Sequence, residues 1–296
     1  MLFYRQKILL VLLEALGGRV GATDFQKLLF LYVTLCEEDG SYDFVPFRFG
    51  CFSFQAMADK RKLIEKQYLS DDKEWVIDSN VSFALGLKPS DLKKVNIFVE
   101  RFSSKRGPEL IKHVYEKYPH TAINSEIAEK HLTKDQYKKV LALKPKFKDS
   151  KLFATIGYEG ESVDAYLMRL VENGVKLLID VRKNPLSRKY GFSKKALLSL
   201  TGKLGIEYIH IPEMGIESVD RKSLNSQADY MALFKVYEKT VLKSEVKSLD
   251  RIIDLYYEHN RVAITCFEKD QCMCHRGNIA TAVSKKSKGE IQITHL

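Results

Sequence analysis

From Leu152 onward, short β-branched or apolar runs alternate with stretches of helical periodicity, and few folds accommodate that order. Strands are expected at residues 152–156, 175–180, 207–211, 262–266 and 291–294. Helices are expected between them, at 163–172, 194–204, 227–259 and 278–284. Parallel neighbours need a crossover, usually a helix. The pattern therefore predicts an α/β domain of Rossmann-like type, a mostly parallel sheet with flanking helices.

Such a sheet delivers the carboxyl ends of its strands to one edge, where ligands bind. The first strand ends in Gly157, Tyr158 and Glu159. The second leads into Asp180 and Arg182, then Ser187, Arg188 and Tyr190. Tyr208 lies on the third, and Cys266, Glu268, Cys274, His275 and Arg276 follow the fourth. Two carboxylates in one crevice, Asp180 and Glu268, can divide acid and base roles. Cys274 at a helix start, beside His275 and Arg276, has the setting of an activated thiolate. Arg182, Arg188 and Arg276 suit a phosphate or carboxylate, and Tyr158, Tyr190 and Tyr208 suit stacking on a base. Gly157, Glu159, Ser187 and Cys266 complete the candidate substrate contacts. The competing reading makes Asp180–Arg182 and Glu268–Arg276 structural ion pairs.

Several chemistries are disfavoured. The cysteine-phosphatase signature C-x5-R is absent, because Cys272 stands six residues after Cys266. Cys266, Cys272, Cys274 and His275 do not have the C-x2-C spacing of a zinc knuckle, and sequence neighbours rarely serve one ion, so no metal is expected. Neither G-x-G-x-x-G nor a P-loop occurs, so no dinucleotide or ATP cofactor is expected.

The motifs Thr155-Ile-Gly-Tyr-Glu-Gly160, Asp180-Val-Arg-Lys-Asn-Pro-Leu-Ser-Arg188, Gly191-Phe-Ser-Lys194, Gly205-Ile-Glu-Tyr208, Cys266-Phe-Glu-Lys-Asp270 and Cys274-His-Arg276 resemble the motif set of the DUF488 family over about residues 151–296. The resemblance implies a compact α/β domain, cytoplasmic and prokaryotic in habit, and no particular reaction. Two features depart from the family pattern. Gly215-Ile216 stands where a glycine pair is usual, and Cys272 is an additional thiol.

The first half reads as helices at 2–16, 25–38 and 53–68, with Gly17-Gly18 ending the first and Thr23 or Asp24 capping the second. Two short strands, 75–78 and 81–84, would form a hairpin around Ser79-Asn80. This is the winged-helix order, and the third helix carries Lys60, Arg61, Lys62 and Lys66, either as a recognition surface or as a solvated face. Further helices are expected at 89–102 and 108–118. The aromatic stretch 42–52 and residues 109–119 resemble the SocA-type antitoxin (Panacea) domain over roughly the first 120 residues. That resemblance implies an accessory module binding DNA or a protein partner. The basic, proline-containing stretch 144–151 separates a domain at 1–145 from one at 151–296.

A formal net charge of +10 favours an anionic partner, nucleic acid above all and DNA more than RNA. Five cysteines, no secretory signal and no apolar run long enough for a bilayer fit a reducing, cytoplasmic setting without membrane contact. The reading that follows is an enzyme acting on nucleic acid or a nucleotide at the sheet edge, with the first domain guiding it. Two alternatives stand beside it: a non-catalytic, antitoxin-like DNA-binding regulator that senses an anionic ligand, and an enzyme of small anionic metabolites.

Overall fold

The structure, a computed structural model, describes residues 2–71, 73–78, 82–147, 150–217, 219, 224 and 226–296. It divides into two compact units, Met1–Lys144 and Pro145–Leu296.

The first unit runs α1 (Tyr4–Ala15), β1 (Arg19–Val20), α2 (Ala22–Cys36), β2 (Val45–Phe47), β3 (Gly50–Phe52), α3 (Phe54–Glu65), β4 (Trp75–Val76), α4 (Pro89–Phe102), α5 (Gly107–Lys117), α6 (Ala128–His131) and α7 (Lys134–Leu143). The apolar faces of α1 and α2 form its centre, with Leu9, Leu12, Phe25, Leu28 and Leu31 wholly buried. Each such side chain contributes roughly 1.5–3 kcal/mol by leaving water. Trp75 packs on Phe25 with ring centroids 4.4 Å apart. That burial decides the pairing of β4, which runs antiparallel to β1 with Val20 opposite Trp75. The hairpin expected with 81–84 is thereby corrected. Ala84–Gly86 makes a 3-10 turn, and Ser79, Asn80 and Val81 lie outside the described residues. The hairpin that does form is β2–β3, inside the aromatic stretch. Its Gly50 has φ +95, and a Cβ there would meet the Tyr115 ring at 2.6 Å. Neither Thr23 nor Asp24 caps α2, whose N-cap is Gly21; Asp24 instead accepts the Gly107 N–H at 3.0 Å.

The second unit runs β5 (Leu152–Gly157), α8 (Val163–Glu172), β6 (Leu177–Asp180), α9 (Lys194–Lys203), β7 (Glu207–His210), α10 (Gln227–Lys239), α11 (Val241–Ser244), α12 (Val246–His259), β8 (Arg261–Cys266), α13 (His275–Lys286) and β9 (Ile293–His295). Its five strands are all parallel in the order β7-β6-β8-β5-β9, flanked by helices. All six residues of the central β8 are buried, and between Arg261 and Cys266 it reads as a β-branched, largely apolar run. The helix expected over 227–259 breaks at Thr240 (φ −107, ψ −83) and Glu245 (ψ 39), and no glycine or proline announced either break. Helix α13 begins at His275 rather than 278, which draws His275 and Arg276 into a buried first turn. Among the described residues no helix is long and apolar enough to cross a membrane.

The strand order places the ligand edge. The chain leaves β6 outward to β7, and leaves β8 the other way, past β5, to β9. Connections that diverge from neighbouring strands open a crevice between them. Here it lies beyond Asp180 of β6 and Cys266 of β8.

Candidate functional site

That crevice opens into a cleft of about 320 Å³ lined by Tyr158, Arg182, Lys183, Asn184, Leu186, Ser187, Arg188, Ile216, Cys266 and Phe267. Three local arrangements shape it.

The first is a closed polar network at the end of β6. Arg182 donates from Nε and Nη2 to the two carboxylate oxygens of Asp180 (2.9 and 2.5 Å) and from Nη1 to Tyr158 Oη (2.7 Å) and the Phe192 carbonyl (2.9 Å). The Tyr208 hydroxyl donates to Asp180 Oδ2 at 2.6 Å. The Tyr158 ring lies flat on Phe192, centroids 4.1 Å apart. Burial opposes the Arg182 charge, but the hydrogen bond and charge of Asp180 outweigh it and hold the guanidinium above its ordinary pKa. Asp180 is wholly buried. It has no exposed face from which to act as acid or base, so its catalytic assignment is corrected to a structural ion pair. The hydroxyls of Tyr158 and Tyr208 are spent on the same pair. Tyr158 still forms part of the cleft wall.

The second arrangement zips the loop after β5 to the loop after β8. Tyr158 and Glu159 both donate their N–H to the Phe267 carbonyl, at 3.1 and 3.0 Å, and Lys269 N donates to Glu159 Oε2 at 3.1 Å. Gly157 is required for this approach, because a Cβ there would stand 1.9 Å from the Glu268 carbonyl oxygen. Arg276, 1% exposed, donates to the backbone carbonyls of Glu268 and of Lys269 (2.8 Å for the latter). The expectation that Arg276 clamps an anionic substrate is corrected: buried in the first turn of α13, it fastens the loop.

The third gathers two thiols and an imidazole. Cys266 Sγ lies 3.5 Å from Glu268 Oε2 and 3.6 Å from His275 Nδ1, and Cys274 Sγ lies 4.0 Å from the same nitrogen. His275 Nε2 faces the Val181 carbonyl at 3.0 Å. A carbonyl only accepts, so Nε2 carries a proton, and Nδ1 is the ring nitrogen that faces the sulfurs. Cys274 is the N-cap of α13, as the activated-thiol reading needs. Burial nonetheless pushes its thiol well above the ordinary range, and the hydrogen bond and charge of Cys266 push the same way. Burial, the largest influence, outweighs the opposing charge of Arg276 and corrects the expectation of a free-standing thiolate nucleophile.

The rim is basic and open. Arg188 is exposed, while Ser187 and Tyr190 are half-buried. Ser187 Oγ accepts the Lys189 N–H at 3.2 Å, and Lys183 pairs with Glu217 at 2.9 Å. Leu186, Ile216 and Phe267 were missed as site residues. Polar clustering cannot find apolar liners, although Phe267 stands between two residues already singled out.

In the first unit Lys60, Arg61 and Lys62 of α3 and Lys66, its C-cap, part company. Lys60 is buried, donates to the Glu74 carbonyl at 2.6 Å and lies 5.3 Å from the Trp75 ring centroid, so it is corrected from a nucleic-acid contact to a core residue. Its neighbour Asp59, also buried, takes Arg5 and Gln6 at 2.7 Å and Tyr42 at 3.1 Å. Arg61, Lys62 and Lys66 are exposed.

No curated protein and no solved structure matches this chain. The family described as "Domain of unknown function DUF488" matches residues 162–283, from the start of α8 into α13. That span holds β6, β8, the Asp180–Arg182 pair and the Cys266–His275 cluster, so the second unit of this protein carries a DUF488 domain.

Proposed function

We propose that the DUF488 domain acts on a phosphate-bearing substrate, a nucleotide or a segment of nucleic acid, in the cleft between β6 and β8. One arrangement carries the reading: the exposed Arg188, with Lys183, Asn184 and Ser187, rims a cleft whose inner wall is Tyr158, Phe267 and Cys266. A guanidinium at the mouth suits phosphate oxygens, and aromatic walls suit a base or sugar. The volume, about 320 Å³, sits at the lower end for small-molecule sites and matches one nucleotide unit rather than a large ligand. The net charge of +10 favours the same class.

Glu268 is the acid–base residue in this reading. It is half-buried, and its carboxylate lies 3.5 Å from the thiol of Cys266, which lines the cleft. The first unit, in the order helix–strand–helix–hairpin–helix–strand with β1 paired to β4 and the β2–β3 hairpin set between α2 and α3, serves as a winged-helix-like module that docks DNA or a protein partner through the exposed side of α3. A reducing, cytoplasmic setting fits five cysteines, none of which forms a disulfide among the described residues.

The test is turnover. The full chain is incubated with a panel of nucleotides and of single-stranded and duplex oligonucleotides, and products are separated by chromatography. Glu268→Gln should lower turnover about a hundredfold with the fold intact. Equal turnover in wild type and variant removes Glu268 from the chemistry. Binding without turnover of any substrate moves the site to a ligand-sensing regulator.

A further inference from the structure

Beneath the cleft floor the ligand atoms of Cys266, Cys274 and His275 all lie within 4.8 Å of one another, and all three residues are buried. A tetrahedral zinc ion holds thiolates at about 2.3 Å and imidazole nitrogen at about 2.0 Å, which sets its ligands roughly 3.5–3.8 Å apart. The sulfur-to-Nδ1 separations of 3.6 and 4.0 Å reach that spacing with small side-chain rotations. The imidazole is held as metal-ligating rings are held. Its Nε2 is fixed by the Val181 carbonyl at 3.0 Å and its ring packs against Tyr237 with centroids 5.6 Å apart, which leaves Nδ1 aimed at the sulfurs.

The objection from sequence was that adjacent residues rarely serve one ion. It fails here for a local reason. Cys274 is the N-cap, with extended backbone at φ −137 and ψ 135, and His275 is the first helical residue. The bend between extended and helical backbone turns the two neighbouring side chains toward one point.

We propose that Cys266, Cys274 and His275 form a three-ligand site for a zinc-type divalent cation, its fourth position supplied with water from the cleft that Cys266 lines. Two thiolates and one imidazole with an open position make a known catalytic type of zinc site. An ion so placed makes its bound water more acidic and puts it at the floor of the cleft. The proposal does not rest on the identity of the substrate, since metal binding is read without one.

The full chain, produced with zinc in the medium and purified without chelators, should carry about one zinc per chain by elemental analysis. After chelation under reducing conditions, titration with Co²⁺ alone should give the visible absorption of tetrahedral cobalt together with thiolate-to-metal charge transfer. Cys274→Ser and His275→Gln should each weaken Co²⁺ binding at least about tenfold. Cys272→Ser should leave it unchanged, because that thiol is exposed and outside the cluster. Circular dichroism verifies the fold of each variant, and the wild-type measurements stand without them. A zinc-free wild type that gives no tetrahedral cobalt spectrum would mean a hydrogen-bonded thiol–imidazole network with no ion, and it overturns the proposal. Co²⁺ binding abolished by Cys272→Ser but kept in Cys274→Ser overturns it equally.

Discussion

The guanidinium of Arg182 lies alongside the carboxylate of Asp180, two residues earlier in the chain, with Nε on Oδ1 at 2.9 Å and Nη2 on Oδ2 at 2.5 Å. The pair caps the end of β6, and Tyr158, Phe192 and Tyr208 converge on it. It fixes one wall of the cleft before any ligand arrives.

Breaking one partner should therefore be costly. Asp180→Asn strands a buried guanidinium and is expected to lower the stability of the second unit by about 3–5 kcal/mol in urea denaturation. Pairing it with Arg182→Met removes the stranded charge and should recover most of the loss. A cost under about 1 kcal/mol for Asp180→Asn would contradict the closed network.

Gly157 and Gly160 make a matched comparison three residues apart. A Cβ at Gly157 would collide with the Glu268 carbonyl, which is backbone and cannot swing away, whereas one at Gly160 (φ +79) has nothing within 4 Å. Gly157→Ala should cost about 3 kcal/mol or more and displace the loop carrying Glu268. Gly160→Ala should cost about 1 kcal/mol of backbone strain with the cleft intact. Thermal unfolding ranks the two, and equal costs would remove the loop-seating role of Gly157.

The exposed and buried lysines of α3 should separate in different assays. Lys60→Met leaves the Glu74 carbonyl without its donor and should destabilise the first unit by about 1–2 kcal/mol. Its retention on DNA should be unchanged. Lys62→Ala should do the reverse: stability within about 0.5 kcal/mol, and a salt dependence of DNA retention shallower by about 1. Weaker retention by a folded Lys60→Met would contradict the burial argument.

Alkaline pH should weaken the first unit through Cys51. Burial pushes this thiol from an ordinary value of 9.0 up to about 11. Between those values the unfolded chain gives up the proton and the folded chain keeps it, so the native state binds more protons and stability falls as pH rises. The contribution is whole below about pH 9 and lost by about pH 11, on the order of 3 kcal/mol. Lys27, whose pKa burial lowers, opposes this trend as it loses its charge below its ordinary 10.5. The comparison is therefore between wild type and Cys51→Ala. The variant should lose the Cys51 part of the slope, and identical slopes would refute the assignment.

The three inner strands were legible because they are buried on both faces and declare themselves as largely apolar runs between helical periods; 152–156 and 262–266 fall wholly inside β5 and β8. The polar residues after those strands were legible as a group for the same reason, since parallel topology alone sends them to one edge. What pattern could not supply was the direction of each side chain. Asp180, Arg276 and Lys60 carry charge, and charge reads as exposure, yet each is buried because a specific partner awaits it: Arg182, the 268–269 carbonyls and the Glu74 carbonyl. The convergence of Cys274 with its neighbour His275 depends on a bend at the start of α13 that no spacing rule encodes. The pairing of β4 with β1 was missed because Trp75, the residue that drives it, finds Phe25 fifty positions earlier.

The central claim is that phosphate-bearing ligands enter at the mouth of the β6–β8 cleft, and the most direct measurement is the salt dependence of binding. Fluorescence anisotropy of a short labelled oligonucleotide with the full chain, across a salt series, compares wild type with Arg188→Ala. The account predicts at least about tenfold weaker binding at low salt and a slope shallower by about 1 in the variant. Identical affinity and slope for the two proteins, or binding lost only when Arg61 and Lys62 are replaced, would contradict it.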